Sequence, residues 1–268
     1  MLADVLPLLR CPVCAAALAG LDGQVRCGTG HAFDVARQGY LSLLGGGARA
    51  STADSAAMVQ ARADFLSAGH YDPVSAALAA AVQRGPVLDV GAGTGHHLAR
   101  VLDGVAEPGI ALDLSKHAAR RAARAHPRLG AVVADAWQAL PVRDAVAGAV
   151  LSVFAPRGPQ EAARVLAPDG LLVVATPTAR HLAELVGPLG LVSVDPDKDA
   201  RLERQLEGFR LRGSELVERS LVLSAADVRA AVAMGPSARH VDPAALPDLA
   251  GEVTLSVRVA AYAPRQPA

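Results

Sequence analysis

The chain has 268 residues, long enough for one large domain or two smaller ones with a real hydrophobic core. Hydrophobic residues make up 51%, aromatic residues only 3%, and 26 basic residues balance 26 acidic ones. Zero net charge excludes a globally basic nucleic-acid binder, so any such surface must be a local patch, and few aromatics are available for stacking on bases. No apolar run reaches the roughly 20 residues of a membrane span. The N-terminus lacks a signal-peptide pattern, because Cys11 and Cys14 arrive after no sustained apolar core, and a cytoplasmic protein is expected.

The first unit, residues 1–47, contains all three cysteines. Leu9-Arg10-Cys11-Pro12-Val13-Cys14 opens it, and Cys27-Gly28-Thr29-Gly30-His31 follows after a gap of twelve residues. A C-x2-C pair followed by C-x3-H supplies four ligands suited to a closed, tetrahedral zinc site. Four protein ligands leave no open position for catalysis. A unit this small lacks area for a core, so the metal would be part of its folding energy. Three cysteines cannot all pair as disulfides, and a redox C-x-x-C lacks the strand–helix context. Phe33 and Tyr40 read as the core of this unit rather than as RNA-facing aromatics. Gly45-Gly46-Gly47 reads as a linker or loop.

Residues 48–85 read as a helical linker contributing to the ligand site. Asp54-Ser55 can cap a helix carrying Met58, Ala61, Phe65 and Leu66 at helical spacing, and Gly69-His70-Tyr71-Asp72-Pro73 turns into a second helix. From residue 86 to 268 an α/β pattern takes over. Its centre is Val87-Leu88-Asp89-Val90-Gly91-Ala92-Gly93-Thr94-Gly95-His96-His97. A strand ends in an acid, glycines make a tight turn, and a helix begins. Glycines there tolerate unusual backbone angles and let main-chain N–H groups approach a ligand. The dinucleotide pattern G-x-G-x-x-G fails, because His96 stands where its last glycine belongs.

The pattern then reads helix 95–103, strand 109–113 ending in Asp113, helix 116–125, strand 131–134 followed by Asp135, strand 146–153 and helix 159–166. A turn at Pro168-Asp169-Gly170 precedes strand 171–175. Alternating strands and helices imply a doubly wound parallel sheet with ligands at the strands' carboxyl ends. The glycine turn, Asp113, Asp135 and Phe154-Ala155-Pro156 all fall at such ends. Asp113 stands 18 residues past Gly95, near the distance expected of an acid that binds ribose hydroxyls, and it equally suits the entry to a helix. Asp135 suits either an adenine contact or a cap for Ala136-Trp137, and Phe154 either a stacking surface or core. Residues 187–213, charged and mixed, read as an insertion or lid. Strand 214–223, helix 224–233 and an alternating strand 252–262 close the chain.

The string Asp89 to Gly95 resembles motif I of class I S-adenosylmethionine (SAM) methyltransferases. Taken with the Cys/His module, Ala36-Arg37-Gln38-Gly39-Tyr40, Met58…Ala61-Arg62…Phe65-Leu66…Gly69-His70-Tyr71, Phe154-Ala155-Pro156 and Thr176-Pro177…His181-Leu182-Ala183-Glu184-Leu185, the chain resembles the 23S rRNA guanine-N1 methyltransferases from end to end. Within them it is most similar to the branch linked to macrolide (tylosin-type) resistance. The resemblance implies methyl transfer from SAM to N1 of one guanine in a 23S rRNA hairpin near the exit tunnel, a homodimer, and structural zinc at Cys11, Cys14, Cys27 and His31. It implies SAM contacts at Tyr71, in the Gly91–His96 loop (Gly91, Gly93, Thr94, Gly95, His96) and at His181, with Asp89, Asp113 and Asp135 completing the site.

Guanine N1 carries a proton at neutral pH, and a positioned acceptor would help remove it. Asp135, His70 and His181 are the residue types available, and none is singled out. Arg10, Arg26, Arg37, Arg49 and the arginines of 201–212 are candidates for phosphate contacts. Two other readings compete: a methyltransferase for small molecules, and a module that binds SAM and RNA without catalysis.

Overall fold

The structure, a computed structural model, describes residues 2–20, 23–45, 53–155, 158–193, 195, 197–242 and 245–265. Three short strands, β1 (Leu18–Ala19), β2 (Gln24–Cys27) and β3 (Ala32–Asp34), form a small antiparallel sheet near the N-terminus. Eight strands form the large sheet: β4 (Tyr40–Ser42), β5 (Val87–Val90), β6 (Gly109–Asp113), β7 (Leu129–Val133), β8 (Ala147–Val153), β9 (Leu166–Pro177), β10 (Phe209–Leu223) and β11 (Gly251–Pro264). Their order is β10-β11-β9-β8-β5-β6-β7-β4. From β9 to β4 every pairing is parallel, while β11 runs antiparallel to both neighbours.

Strand order reverses between β5 and β8, because the chain winds outward through β6 and β7 before returning to the other side. That reversal opens a crevice at the carboxyl end of β5, where a ligand has room. The inner strands β5, β7 and β8 are buried along their whole length and largely apolar because both faces are covered, whereas the edge strand β10 is charged and mostly exposed. On one face Ala111, Val133, Leu151, Val173 and Leu255 meet the helices α2 (Ala56–Ser67), α3 (Asp72–Ala81), α4 (His96–Leu102) and α9 (Ala225–Met234). On the other face Leu88, Ile110, Leu112, Val132 and Val174 share one core with Val5, Leu9, Val25 and Leu41 of the N-terminal segment. The period-2 alternation of the strands assigns each set to its side.

The N-terminal segment is stitched to the large sheet. β4 pairs with β7 in parallel, Leu41 opposite Val132, and the Leu43 N–H donates to the Val133 carbonyl at 2.9 Å. Val5 of α1 (Leu2–Val5) lies over Gly130, where an added Cβ would stand 2.1 Å from its Cγ2. Phe33 and Tyr40 are both half-buried, Phe33 against the core shared with the N-terminal segment but Tyr40, on β4, against the opposite core of the large sheet and not a core of the small unit. The glycine run expected as a linker lies outside the described residues after Gly45.

Ser55 caps α2, accepting from the Met58 N–H at 3.2 Å. The remaining helices are α5 (Lys116–Ala122), α6 (Pro159–Val165), α7 (Ala183–Leu189) and α8 (Lys198–Gln205). Two expectations need correction. The turn at 168–170 is an irregularity inside the continuous strand β9, where pairing to β8 slips between Ala147 and Ala149. From α8 onward the segment 187–213 is packed and not a lid: Leu202, Leu206 and Phe209 are buried in the core shared with the N-terminal segment, and β10 already begins at Phe209, while Leu191 and Val192 line a cleft.

Candidate active site and metal centre

The glycine turn does what its composition requires. Gly91, Gly93 and Gly95 have φ of 76°, 55° and 76°, the left-handed region that side chains disfavour. Gly93 lies under the Arg62 side chain, and Gly95 lets α5 come close, since a Cβ on it would sit 3.1 Å from the Ala122 Cβ. The turn floors a cleft of about 290 Å³. Tyr71, Asp89, Gly91, Gly93, Thr94, His96, Asp113 and Asp135 all line it. Eight of the ten expected ligand residues therefore converge, although 64 positions separate the first from the last. Gly95 stands behind the turn as the N-cap of α4, and His181 lines a neighbouring cleft.

Asp113 is held by the turn itself. Its Oδ2 accepts from the Gly93 N–H and its Oδ1 from the Ser115 N–H, both at 2.8 Å. Each oxygen keeps a lone pair for a ligand hydroxyl. Asp89 is different. It is fully buried, and among the described residues its Oδ1 has no hydrogen-bond partner. Burial, and then the charge of Asp113, push its carboxyl up to about 8. A buried acid without a partner suits a ligand cation. Asp135 closes the far end of the cleft, its Oδ1 accepting from the Trp137 N–H at 2.9 Å.

A second cleft of about 510 Å³ shares Asp54, Arg62, Tyr71, Phe154 and Met234 with the first. Its walls are largely apolar, including Leu182, Leu185, Val186 and Val232. Phe154 and His181 stack there with ring centroids 6.0 Å apart and 17° between planes. Phe154 has φ of 53°, a strained backbone for a bulky residue and one often found at working sites. The Ser256 N–H donates to His181 Nδ1 at 3.3 Å, so the neutral ring carries its proton on Nε2 and donates to the Tyr71 hydroxyl at 2.9 Å. Tyr71's own proton is then free to serve another acceptor.

In the small sheet, Cys11, Cys14, Cys27 and His31 bring three Sγ atoms and one imidazole nitrogen within 4.8 Å of one another. Cys14 and Cys27 sulfurs are 3.7 Å apart, and His31 Nδ1 is 3.7 Å from Cys11 and 3.4 Å from Cys27. A tetrahedron with zinc–sulfur bonds of about 2.3 Å has edges of roughly 3.8 Å, so the donor set fits that ion. The Thr29 hydroxyl lies 3.0 Å and 3.1 Å from the Cys14 and Cys27 sulfurs and lowers both thiols, Cys27 to about 5.

Other expected residues fall elsewhere. His70 is turned away from both clefts into a contact with Asp227 at 3.2 Å and against Phe65. Arg10 pairs with Asp144 at 3.1 Å and Arg201 pairs with Asp195. Arg49 and Pro156 lie outside the described residues. The structure adds residues that local pattern did not reveal as part of the site. Arg62 reaches Asp54 and the Met234 carbonyl, latching α2 to α9 above the glycine turn. His97 is half-buried, bonded to Ser75 at 2.8 Å, and held neutral by loss of hydration, which lowers its pKa to about 3. Trp137 stands on the rim of the first cleft.

Comparison with known proteins agrees with this arrangement. A family model described as the RlmA N-terminal zinc ribbon matches residues 9–51, and a methyltransferase-domain model matches residues 87–170. A protein of Streptomyces fradiae named 23S rRNA (guanine(748)-N(1))-methyltransferase is 48% identical, covering 95% of this chain and 96% of that protein. A Micromonospora griseorubida relative named for 23S rRNA guanine-N(1) methylation is 49% identical over 97% of this chain and 99% of its own. Among solved structures, a SAM-dependent methyltransferase from Geobacter sulfurreducens in complex with S-adenosyl-L-homocysteine superposes with a TM-score of 0.45 at 19% identity, over 71% of this chain and 90% of that one. The doubly wound sheet with its antiparallel β11 is the class I SAM-methyltransferase fold.

Proposed function

The chain belongs to the 23S rRNA guanine-N1 methyltransferases, and from that premise we propose that it transfers a methyl group from SAM to N1 of one guanine in a 23S rRNA hairpin near the exit tunnel, in a cytoplasmic protein that confers tylosin-type macrolide resistance. The observation that carries the reading is the cleft in which an unpartnered buried acid, a hydroxyl-binding acid and a glycine turn meet. Asp89 receives the α-ammonium of the methionine part. Asp113 binds the ribose hydroxyls with the lone pairs its backbone bonds leave unused. Tyr71, with its oxygen already bonded by His181, donates its proton to the methionine carboxylate. Gly91, Gly93 and Thr94 permit close approach, His96 flanks the turn, Gly95 sets its shape and Asp135 faces the adenine. SAM supplies an activated methyl on a sulfonium, and these residues hold it in line with the attacking nitrogen. Most of the acceleration comes from that positioning and from exclusion of water. Zinc at Cys11, Cys14, Cys27 and His31 is structural, since the four ligands close its shell. The zinc unit comprises residues 1–47, residues 48–85 are a helical linker, residues 86–268 are the methyltransferase domain, and two copies form a homodimer that presents the RNA between zinc unit and cleft.

Primer extension on 23S rRNA after incubation with the protein and SAM tests the reading. N1 methylation blocks the Watson–Crick edge, so reverse transcriptase halts one nucleotide before the target. A SAM-dependent stop that vanishes in Asp89→Ala is the expected outcome. Its absence on both free rRNA and ribosomal particles, with SAM demonstrably bound, overturns the assignment. Size-exclusion chromatography with light scattering tests the dimer.

A further inference from the structure

We propose that Trp137 is the surface on which the adenine of SAM stacks, which makes the chain's one tryptophan both a determinant of cofactor affinity and its optical reporter. The proposal rests on the SAM-binding reading of the cleft. Trp137 is 68% exposed, an unusual state for so large an apolar ring, and part of its surface lines the cleft. A ring left bare in that position gains by being covered.

Topology says by what. β6 and β7 are parallel neighbours, with Asp113 opposite Val133, so the residues just beyond their ends stand side by side. Asp113 takes the ribose. The base is attached directly to that ribose and extends from Asp113 away from the glycine turn, toward Asp135. The side chains that flank it there are Leu114 and Trp137, both on the cleft wall. Trp137 is also not loosely placed. Its N–H donates to Asp135 Oδ1 at 2.9 Å, and the Gln138 N–H donates to the Asp135 carbonyl at 3.1 Å. The same acid that faces the adenine edge thus pins the backbone that carries the ring. A flat π-face beside a flat purine is a favourable pairing that needs no further hydrogen bond. An RNA base could use the same ring, but its location on the wall shared with Asp113 and Asp135 favours the cofactor's own purine.

The experiment uses the full chain with zinc bound. Tryptophan emission is followed while S-adenosyl-L-homocysteine, adenosine or methionine is added, and affinities are measured separately by calorimetry. S-adenosyl-L-homocysteine and adenosine should change the emission, and methionine should not. W137A should weaken S-adenosyl-L-homocysteine binding by roughly ten- to a hundredfold, while W137F keeps most of the affinity. In turnover with an rRNA hairpin, W137A should raise the KM for SAM and leave kcat and the KM for RNA unchanged. W137F also guards against a folding defect, since it keeps an aromatic face at the position. Emission that responds to the hairpin but not to S-adenosyl-L-homocysteine, with a KM effect on RNA alone, overturns the proposal and makes Trp137 an RNA contact. Wild-type affinity in W137A overturns it equally. A wild-type protein that binds no S-adenosyl-L-homocysteine by calorimetry would instead sink the SAM reading itself.

Discussion

Cofactor affinity should depend on pH through Asp89. In the empty protein this carboxyl is fully buried, lacks a partner at Oδ1 and titrates near 8 because burial and the neighbouring Asp113 disfavour its charge. Binding an ammonium requires the carboxylate. Below pH 8 the protein must therefore release a proton as it binds, and affinity falls about tenfold per pH unit. From half ionised at pH 8 to about one part in a hundred at pH 6, affinity for S-adenosyl-L-homocysteine should weaken about fiftyfold. Above pH 8 the ligand's own amine begins to lose its proton, so the profile peaks near 8. The same shift has a consequence for the empty protein. Between about pH 4 and 8 the native state holds a proton that the unfolded chain has released, so native stability falls as pH rises across that window. Asp89→Asn should bind weakly at every pH, lose the slope, and melt higher than wild type at pH 8. Calorimetry in two buffers of different ionisation enthalpy counts the proton directly, and an Asp113→Asn control separates the two acids. Affinity that is flat from pH 6 to 8, with no proton released, refutes the reasoning.

Gly95→Ala places a Cβ 3.1 Å from Ala122 at a residue with φ of 76°, so we expect a cost of about 1–2 kcal/mol and a displaced glycine turn with weaker cofactor binding. Wild-type melting and affinity would contradict that. Gly130→Ala drives a Cβ to 2.1 Å from Val5, and urea unfolding should show a loss of about 1–3 kcal/mol, largely relieved when Val5→Ala is added. Additive losses would place the strain elsewhere. Chelating the zinc should lower the melting temperature on the order of 5–10 °C and increase hydrogen exchange at Leu43, whose N–H bonds to β7 at 2.9 Å. Unchanged exchange there would separate the small sheet energetically from the large one.

The legible part of this protein is the part written in short-range chemistry. Glycines before a helix, an acid closing each of three apolar strands, four soft ligands at knuckle spacing and a serine before apolar residues at helical spacing each state their role within a few residues. The misread parts each depended on distant chain. His70 looked available for catalysis until α9 supplied Asp227, more than 150 positions away. The segment around α8 looked like a lid because its charges outnumber its apolar residues, yet Leu202, Leu206 and Phe209 suffice to hold it to the sheet.

The sequence by itself determined the class of fold, the metal-ligand set and the acids at the strand ends, because periodicity and spacing constrain the backbone locally. Only the tertiary structure decided what surrounds them. It set β4 on the edge of β7, brought His181 to Tyr71 across 110 positions, laid Arg62 over Gly93, and left Trp137 uncovered beside Asp135. These pairings follow from how two faces of one sheet are filled, a global packing solution that no local window of residues contains.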